Sequence, residues 1–453
     1  MGQLDFLLNM VEKSQEEIVQ LHQELVRIPT VNTGRMPTGN EVELCRFLEQ
    51  RFAAEGIEHE TIESAPGRGN FIARLVGSSS PRLLYMSHAD VVPVEEEGSW
   101  AYPPFSGQIA EGKIFGRGSD DAKSLVTSGT MALFILKRAR VGLHGMLTFL
   151  AAADEEAGGR YGVGWLVEKV PHKVQADYAI NEGGGTPLQT DKGLAYLFSV
   201  GEKGRLEARI AAKGRSAHAA RPWLGDNAIV KMSEIVRRVD TFQPELDTSL
   251  EFFRHLARLF DLREPICSRS VDRILDALSK KDRSLGSVIR ALSRMTVSPT
   301  VISGGFKSNS IPESCSLACD IRTLPHQDEQ YVRQQLNRIV AGIDGVTVDL
   351  EHTAVSGVSP ADTEFVHHVQ RATEIALGRE PIVWIPSITN GFTDSRFMRP
   401  LGTQVYGIEP ITIESNPIRE GIHGVNEAME IENLLLRTKM QVVLAYRMLV
   451  ANH

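Results

Sequence analysis

Between residues 41 and 182, segments with helical spacing alternate with short apolar runs, and the runs stop at histidines or carboxylates. EVELCRFLEQRFAAE (Glu41–Glu55) carries its apolar residues at helical intervals. A short strand is expected at Asn70–Val76, and the next run, Leu83–Ser87, ends at His88. A helix over Ala122–Ala139 leads to Met146–Ala153, which breaks at Asp154-Glu155-Glu156. A helix near Gly164–Lys169 precedes Tyr178–Ile180, which stops at Asn181-Glu182-Gly183. Strands that are apolar throughout need cover on both faces, so this order predicts an α/β fold with a mainly parallel central sheet. Ligands of such sheets bind beyond the carboxyl ends of the strands. His88, Asp90, Glu155, Glu156 and Glu182 are therefore expected along one rim.

The pattern changes near Tyr196. Arg205–Lys213 alternates apolar and polar residues, and Gly225–Phe242 reads as an amphipathic helix. Strands are expected at Thr300–Ser303, Ser314–Arg322 and Val346–Glu351, with a helix at Asp328–Ile343 between the last two. This is the pattern of a small α+β module with a helix pair on one face. Residues 245–298 form a basic stretch with helical periodicity, read as an insertion. The α/β pattern then resumes with a helix at Asp362–Leu377, a strand near Gln404–Ile408 and a final helix at Ile431–Val450. The expected division is 1–196 and 353–453 for one domain, interrupted by 197–352. A chain of 453 residues accommodates two or three domains in any case.

Charge and cysteine content narrow the function. A formal net charge of −8 argues against nucleic acid or an anionic membrane as the partner. Four cysteines are too few for a disulfide framework, and Cys315 and Cys319 lie too far apart on one strand to bridge. The segment Met1–Ile28 reads as one acidic amphipathic helix rather than a signal peptide, and no run of 18 apolar residues occurs. These features predict a cytoplasmic protein with no membrane span.

Taken singly, the rim residues have ordinary explanations: a structural histidine, a solvated acid pair, or an Asp capping a helix. Their convergence changes the reading. Two histidines, His88 and His423, together with several carboxylates form a recognised donor set for zinc and similar divalent ions. Asp120-Asp121 sits at a helix start and would join them. No G-x-S-x-G nucleophile elbow is present, and no Gly-Lys-Ser/Thr follows the glycines at 183–185.

The motifs HADVVP (88–93), GRGSDDAK (116–123), DEEAGG (154–159), NEGGG (181–185), GRSAHAARP (214–222), DIR (320–322) and HGVNE (423–427) occur in this order. Together they resemble the M20 family of metallopeptidases and amidohydrolases, a family that includes carboxypeptidase G2, aminoacylase, acetylornithine deacetylase and succinyl-diaminopimelate desuccinylase groups. The resemblance implies a zinc-exopeptidase-like α/β catalytic domain interrupted by an inserted ferredoxin-like lid. It also implies two divalent ions, zinc first, with cobalt and manganese sharing such ligands. His88 and Glu182 would hold one ion and Glu156 and His423 the other, with Asp121 between them. Glu155 would be the general base, and Asp90 would bond the second nitrogen of His88. A cis peptide after Asp121 belongs to the same pattern.

In the lid, the resemblance gives His218 a role in stabilising an oxyanion across a homodimer. It places Asn309 and Arg322 on the substrate. Asn390–Arg396 (NGFTDSR) is similar to the family's Gly-Gly-Thr-Asp loop, so Gly391 and Thr393 would contact substrate, while Phe392 replaces a glycine. The implied substrate is an N-acyl amino acid or short peptide with a free carboxylate. A di- or aminopeptidase on the same scaffold is the alternative, and a non-catalytic binding protein the remote one.

Overall fold

The computed structural model describes residues 2–450, apart from 79, 191, 260–263, 282, 380–381 and 416–420. The chain forms two units, one of Met1–Gly201, Ser359–Ser387 and Thr393–His453, the other of Glu202–Val358 with Ile388–Phe392.

The first unit is built on a sheet whose strand order is Glu58–Glu63, Gly69–Val76, Met146–Ala152, Arg82–His88, Tyr178–Asn181, Gln404–Gly407 and Gly193–Glu202. The middle pairings are parallel, with Arg82–His88 flanked by Met146–Ala152 and Tyr178–Asn181. Tyr178–Asn181 in turn pairs in parallel with Gln404–Gly407. The mainly parallel centre follows from the apolar runs, whereas the antiparallel margins do not. Glu58–Glu63 (EHETIE) is too polar to read as a strand, and its pairing with Gly69–Val76 gives it order.

Helices cover the sheet as its apolar faces require. Lys123–Arg138 is buried from Lys123 through Leu136, against the sheet and under other helices. It approaches so closely that a Cβ at Gly129 would lie 2.6 Å from the Phe149 ring, which restricts that position to glycine. Phe52 of the helix Glu41–Ala54 packs 4.9 Å from both Phe71 and Phe134. Each such ring pair adds about 0.5–1.5 kcal/mol beyond area burial. The N-terminal segment expected as one helix is two, Gln3–Lys13 and Gln15–Val26, separated at Ser14. Among the described residues, no helix is long and apolar enough to cross a membrane.

The second unit has an antiparallel sheet ordered Thr296–Gly304, Ser314–Thr323, Gly204–Lys213, Val346–Ala354. Counted along the chain this is the strand order 2-3-1-4 of a ferredoxin-like βαββαβ module. The helices Ala228–Asp240 and Glu329–Val340 bury Met232, Ile235, Val332 and Leu336 against Leu206, Ile210, Leu317 and Ile321. The stretch 245–298 contains the helices Glu251–Leu259, Val271–Lys281 and Arg283–Leu292, with residues 260–263 and 282 lying outside the described residues. Lys203 anchors it by donating to the carbonyls of Ala291 (2.7 Å) and Arg294 (2.8 Å).

Candidate metal centre

Parallel pairing sets His88 level with Ala152, so the strand ends at His88 and at Asp154-Glu155-Glu156 share one rim. Glu182 follows the next strand over, which ends at Asn181. Asp121 arrives on the turn before the helix Lys123–Arg138, and His423 on the loop before Ala428–Glu430. The peptide Asp121–Ala122 is cis.

The donor atoms form two groups that share Asp121. His88, Asp121 and Glu182 are one, and Asp121, Glu156 and His423 the other, with the ligand atoms of each within 4.8 Å of one another. His88 Nε2 is 2.9 Å from Asp121 Oδ1 and 3.5 Å from Glu182 Oε2. His423 Nε2 is 3.0 Å from Asp121 Oδ2 and 3.3 Å from Glu156 Oε2. Each oxygen of Asp121 therefore faces a different imidazole.

The electrostatics fit a pair of divalent cations. Burial, with Asp121 close by, pushes the Glu156 carboxyl up to about 7. Burial and then Glu182 raise that of Glu155 well above its ordinary value. Burial opposes charge on His88, but Glu182, Asp121 and Asp90 outweigh it and raise its pKa well above the usual imidazole range. Hydrogen bonds to Asp121 and Glu156 lift His423 to about 10. Protons thus substitute for positive charge that the cluster otherwise lacks. Oε1 of Glu155 and of Glu156 are buried without a hydrogen-bond partner. Carboxylate and imidazole donors in this number suit zinc and related ions.

Asp90 does something other than expected. His88 Nδ1 donates to the backbone carbonyl of Asp90 at 2.9 Å, while the carboxylate Oδ1 lies 3.6 Å away. That bond still fixes the tautomer and leaves the Nε2 lone pair for a metal. The carboxylate instead accepts from the amides of Glu155 (Oδ1, 3.1 Å) and Glu156 (Oδ2, 3.2 Å). Two amides in succession take up the oxygens, and the imidazole is left with the carbonyl.

Glu427 repeats the arrangement on the other acid pair. Its Oε1 accepts from the amides of Asp120 (3.0 Å) and Asp121 (3.1 Å), and Oε2 from Arg117 Nη1 at 2.6 Å. Arg117 Nη2 also donates to the carbonyl of Gly424, next to His423. Asp394 is a further carboxylate that the motif reading left without a role. It is buried, neither of its oxygens has a hydrogen-bond partner, and burial pushes it up to about 7. Thr393 is buried beside it, with its hydroxyl accepting from the Ser395 amide at 3.2 Å.

The remaining expected residues lie in the second unit. His218 is exposed on the short strand Ala217–His218, paired with Ser310–Ile311. Its Nδ1 accepts from the Ala220 amide at 3.1 Å, so Nε2 carries the proton and can donate. Asn309 is exposed, and its carbonyl accepts from the Ala219 amide. Arg322 and Arg205, opposite each other in the strand register, both donate through Nε to Asp320, at 2.7 and 2.8 Å. Both guanidinium carbons lie over the Phe392 ring, 5.8 Å away for Arg322 and 5.9 Å for Arg205. Stacking uses the faces of the guanidiniums and leaves their outer edges for an anion. Gly391 is exposed, with open space where a Cβ would project.

An α/β sheet carrying two histidine–carboxylate groups around a shared aspartate defines a metallohydrolase. The chain belongs to Peptidase family M20/M25/M40, whose model matches residues 84–447. A probable succinyl-diaminopimelate desuccinylase of Staphylococcus aureus (strain MRSA252) is 27% identical over 346 residues, 76% of either protein. The N-fatty-acyl-amino acid synthase/hydrolase PM20D1 of Xenopus tropicalis is 26% identical over 456 residues, covering 97% of this chain and 87% of that protein. The fold matches that of the M20 family metallo-carboxypeptidase Sso-CP2 from Sulfolobus solfataricus, with TM-score 0.72 and 20% identity over 94% of this chain and 98% of that one. Human carnosine dipeptidase 1 shares the fold with TM-score 0.70 and 16% identity, covering 99% of each chain. The protein is a metal-dependent hydrolase of this family.

Proposed function

We propose that the protein hydrolyses the amide bond joining an acyl or peptidyl group to an amino acid with a free carboxylate. One observation carries the reading: Asp121 faces both imidazoles, and beside these groups Glu155 presents a buried carboxylate oxygen with no partner. His88 and Glu182 would hold one ion, Glu156 and His423 the other, and Asp121 would bridge them, with zinc as the native metal. Two divalent cations there would acidify a water and polarise the scissile carbonyl.

The chain's own residues supply the rest. Glu155 takes the proton of the attacking water and delivers it to the leaving nitrogen, acting first as base and then as acid. Arg322 holds the substrate carboxylate with the outer edge of its guanidinium, and Phe392 keeps that edge aimed by stacking under it. Asn309, Gly391 and Thr393 line the substrate. The 197–352 segment serves as lid and dimerisation domain. His218, with its proton on Nε2, donates to the developing oxyanion of the partner subunit's site. The dimer reading is supported by the edge strand Thr296–Gly304, which exposes Val301 and Ile302, and by the exposed Ile229 and Val230 on the helix Ala228–Asp240. An apolar strand left open at a sheet edge is a pairing surface. The four cysteines are free, in keeping with a cytoplasmic setting.

Metal-loaded protein tested against N-acyl amino acids, their carboxamides and dipeptides is expected to cleave the N-acyl amino acids. Activity should fall to background with a chelator and on replacing the carboxylate by an amide. Cleavage of dipeptides alone would favour the dipeptidase reading, and no cleavage of any substrate the non-catalytic one. A second result is expected from mixed dimers. Inactive His218→Ala and inactive Glu155→Ala chains, mixed, should regain a fraction of activity, read by initial rates after subunit exchange. Mixed dimers that form without recovering activity would place His218 within its own subunit or outside the reaction.

A further inference from the structure

Glu155 has little to hold its side chain, since Oε1 has no partner. Its direction is therefore set by the backbone turn, and that turn is tied to a chain of buried polar groups. The amides of Glu155 and Glu156 donate to the Asp90 carboxylate. Asn32 Nδ2 links Asp90 Oδ2 (2.8 Å) to Asp154 Oδ1 (3.1 Å). Asp154 Oδ2 accepts from the Tyr161 amide at 3.0 Å, and its carbonyl from the amides of Ala157 and Gly159. Asp154 itself is held at φ +70°, a conformation that an L residue keeps only when its surroundings impose it.

Two buried carboxylates bridged by a neutral amide need positive charge nearby: His88 lies 3.6 Å from Asp90, and Arg68 is in contact with Asp154. The Arg68 side chain is 0% exposed, and Nη2 lies 2.8 Å from Asp154 Oδ1. Nη1 donates to the Thr38 carbonyl, and the guanidinium stacks 5.6 Å from the Tyr161 ring. Glu41, 2.9 Å from Nη2, competes for the same charge. Burial, reinforced by Asp90, pushes the Glu41 carboxyl up to about 8, which weakens its hold on the guanidinium.

We propose that Arg68 is a positioning residue for Glu155, acting through Asp154, Asn32 and Asp90 to fix the turn that presents the Glu155 carboxylate. Arg68 touches neither the metal-ligand groups nor substrate; it sets where the base points. This rests on reading Glu155 as the base.

The test compares Arg68→Gln, Arg68→Lys and Asn32→Ala, each loaded with zinc. Arg68→Gln should lower kcat by about 10–100-fold, as loss of an outer partner does at metal sites, with KM within about two-fold and two metals per chain retained. Arg68→Lys should recover part of the loss. Amide exchange in the peptide spanning 153–161 should be about ten-fold faster in Arg68→Gln and Asn32→Ala, because the turn opens locally without global unfolding. Arg68→Gln combined with Asp154→Asn should cost no more than the larger single change, since both act on one path. The proposal fails if kcat per folded, metal-loaded chain is unchanged, if exchange at 153–161 is unchanged, or if the two losses add. Should Arg68→Gln not fold, Asn32→Ala breaks the path without removing a charge and decides the question by the same two readouts. Glu155→Gln run alongside separates the layers: if it keeps turnover the base reading fails, and if it is dead while the Arg68 and Asn32 series is normal, only the present inference fails.

Discussion

Glu155→Gln is expected to lower kcat by about 10²–10⁴-fold while the protein still binds two metal ions. The neutral amide has the volume of the carboxyl but cannot take a proton from water. Neither metal-ligand group includes Glu155, and its amide bond to Asp90 comes from the backbone, so the substitution leaves the donor sets untouched. Kinetics on metal-loaded protein, with metal counted by elemental analysis, check both halves. Loss of a metal with the activity would exchange the roles of Glu155 and Glu156, whose neighbouring side chains diverge from one turn.

Asp121→Ala is expected to have the larger effect on metal content. It belongs to both donor groups, so removing it strips a ligand from each, whereas Glu182→Ala or Glu156→Ala strips one. Metals per chain should fall from two towards zero in Asp121→Ala, with turnover at background, and towards one in each of the other two. Equilibrium dialysis against zinc measures all three. Retention of two ions in Asp121→Ala would show that the aspartate is not shared, whatever its position between the imidazoles.

The sheet and its rim were legible because their physics is local. Apolar runs of strand length, each stopped by a polar residue, locate strands and their carboxyl ends without knowledge of pairing. The strand ends locate His88, Glu155, Glu156 and Glu182, the helix start and the late loop add Asp120-Asp121 and His423, and the motif order assigns each its role. What supports them was not legible. Arg68 bonds Asp154 across 86 residues, and Arg117 bonds Glu427 across 310, and nothing near Arg68 in the sequence marks it as buried. The Asp90 carboxylate could have reached the imidazole or the amides, and only the three-dimensional turn decides between them. Phe392 stood out as a departure from a glycine, but its place beneath Arg205 and Arg322 depends on a strand register that spacing does not reveal. The break at Ser14 went unread because amphipathic spacing continues on both sides of it.

The central claim is that two metal ions share Asp121 at the strand rim and serve hydrolysis there. Anomalous diffraction from crystals of zinc-loaded protein tests it most directly. The expected result is two peaks about 3.5–4 Å apart, one beside His88 and Glu182, the other beside Glu156 and His423, with Asp121 between. A single peak, or peaks away from these residues in protein that is active with zinc, would contradict the account.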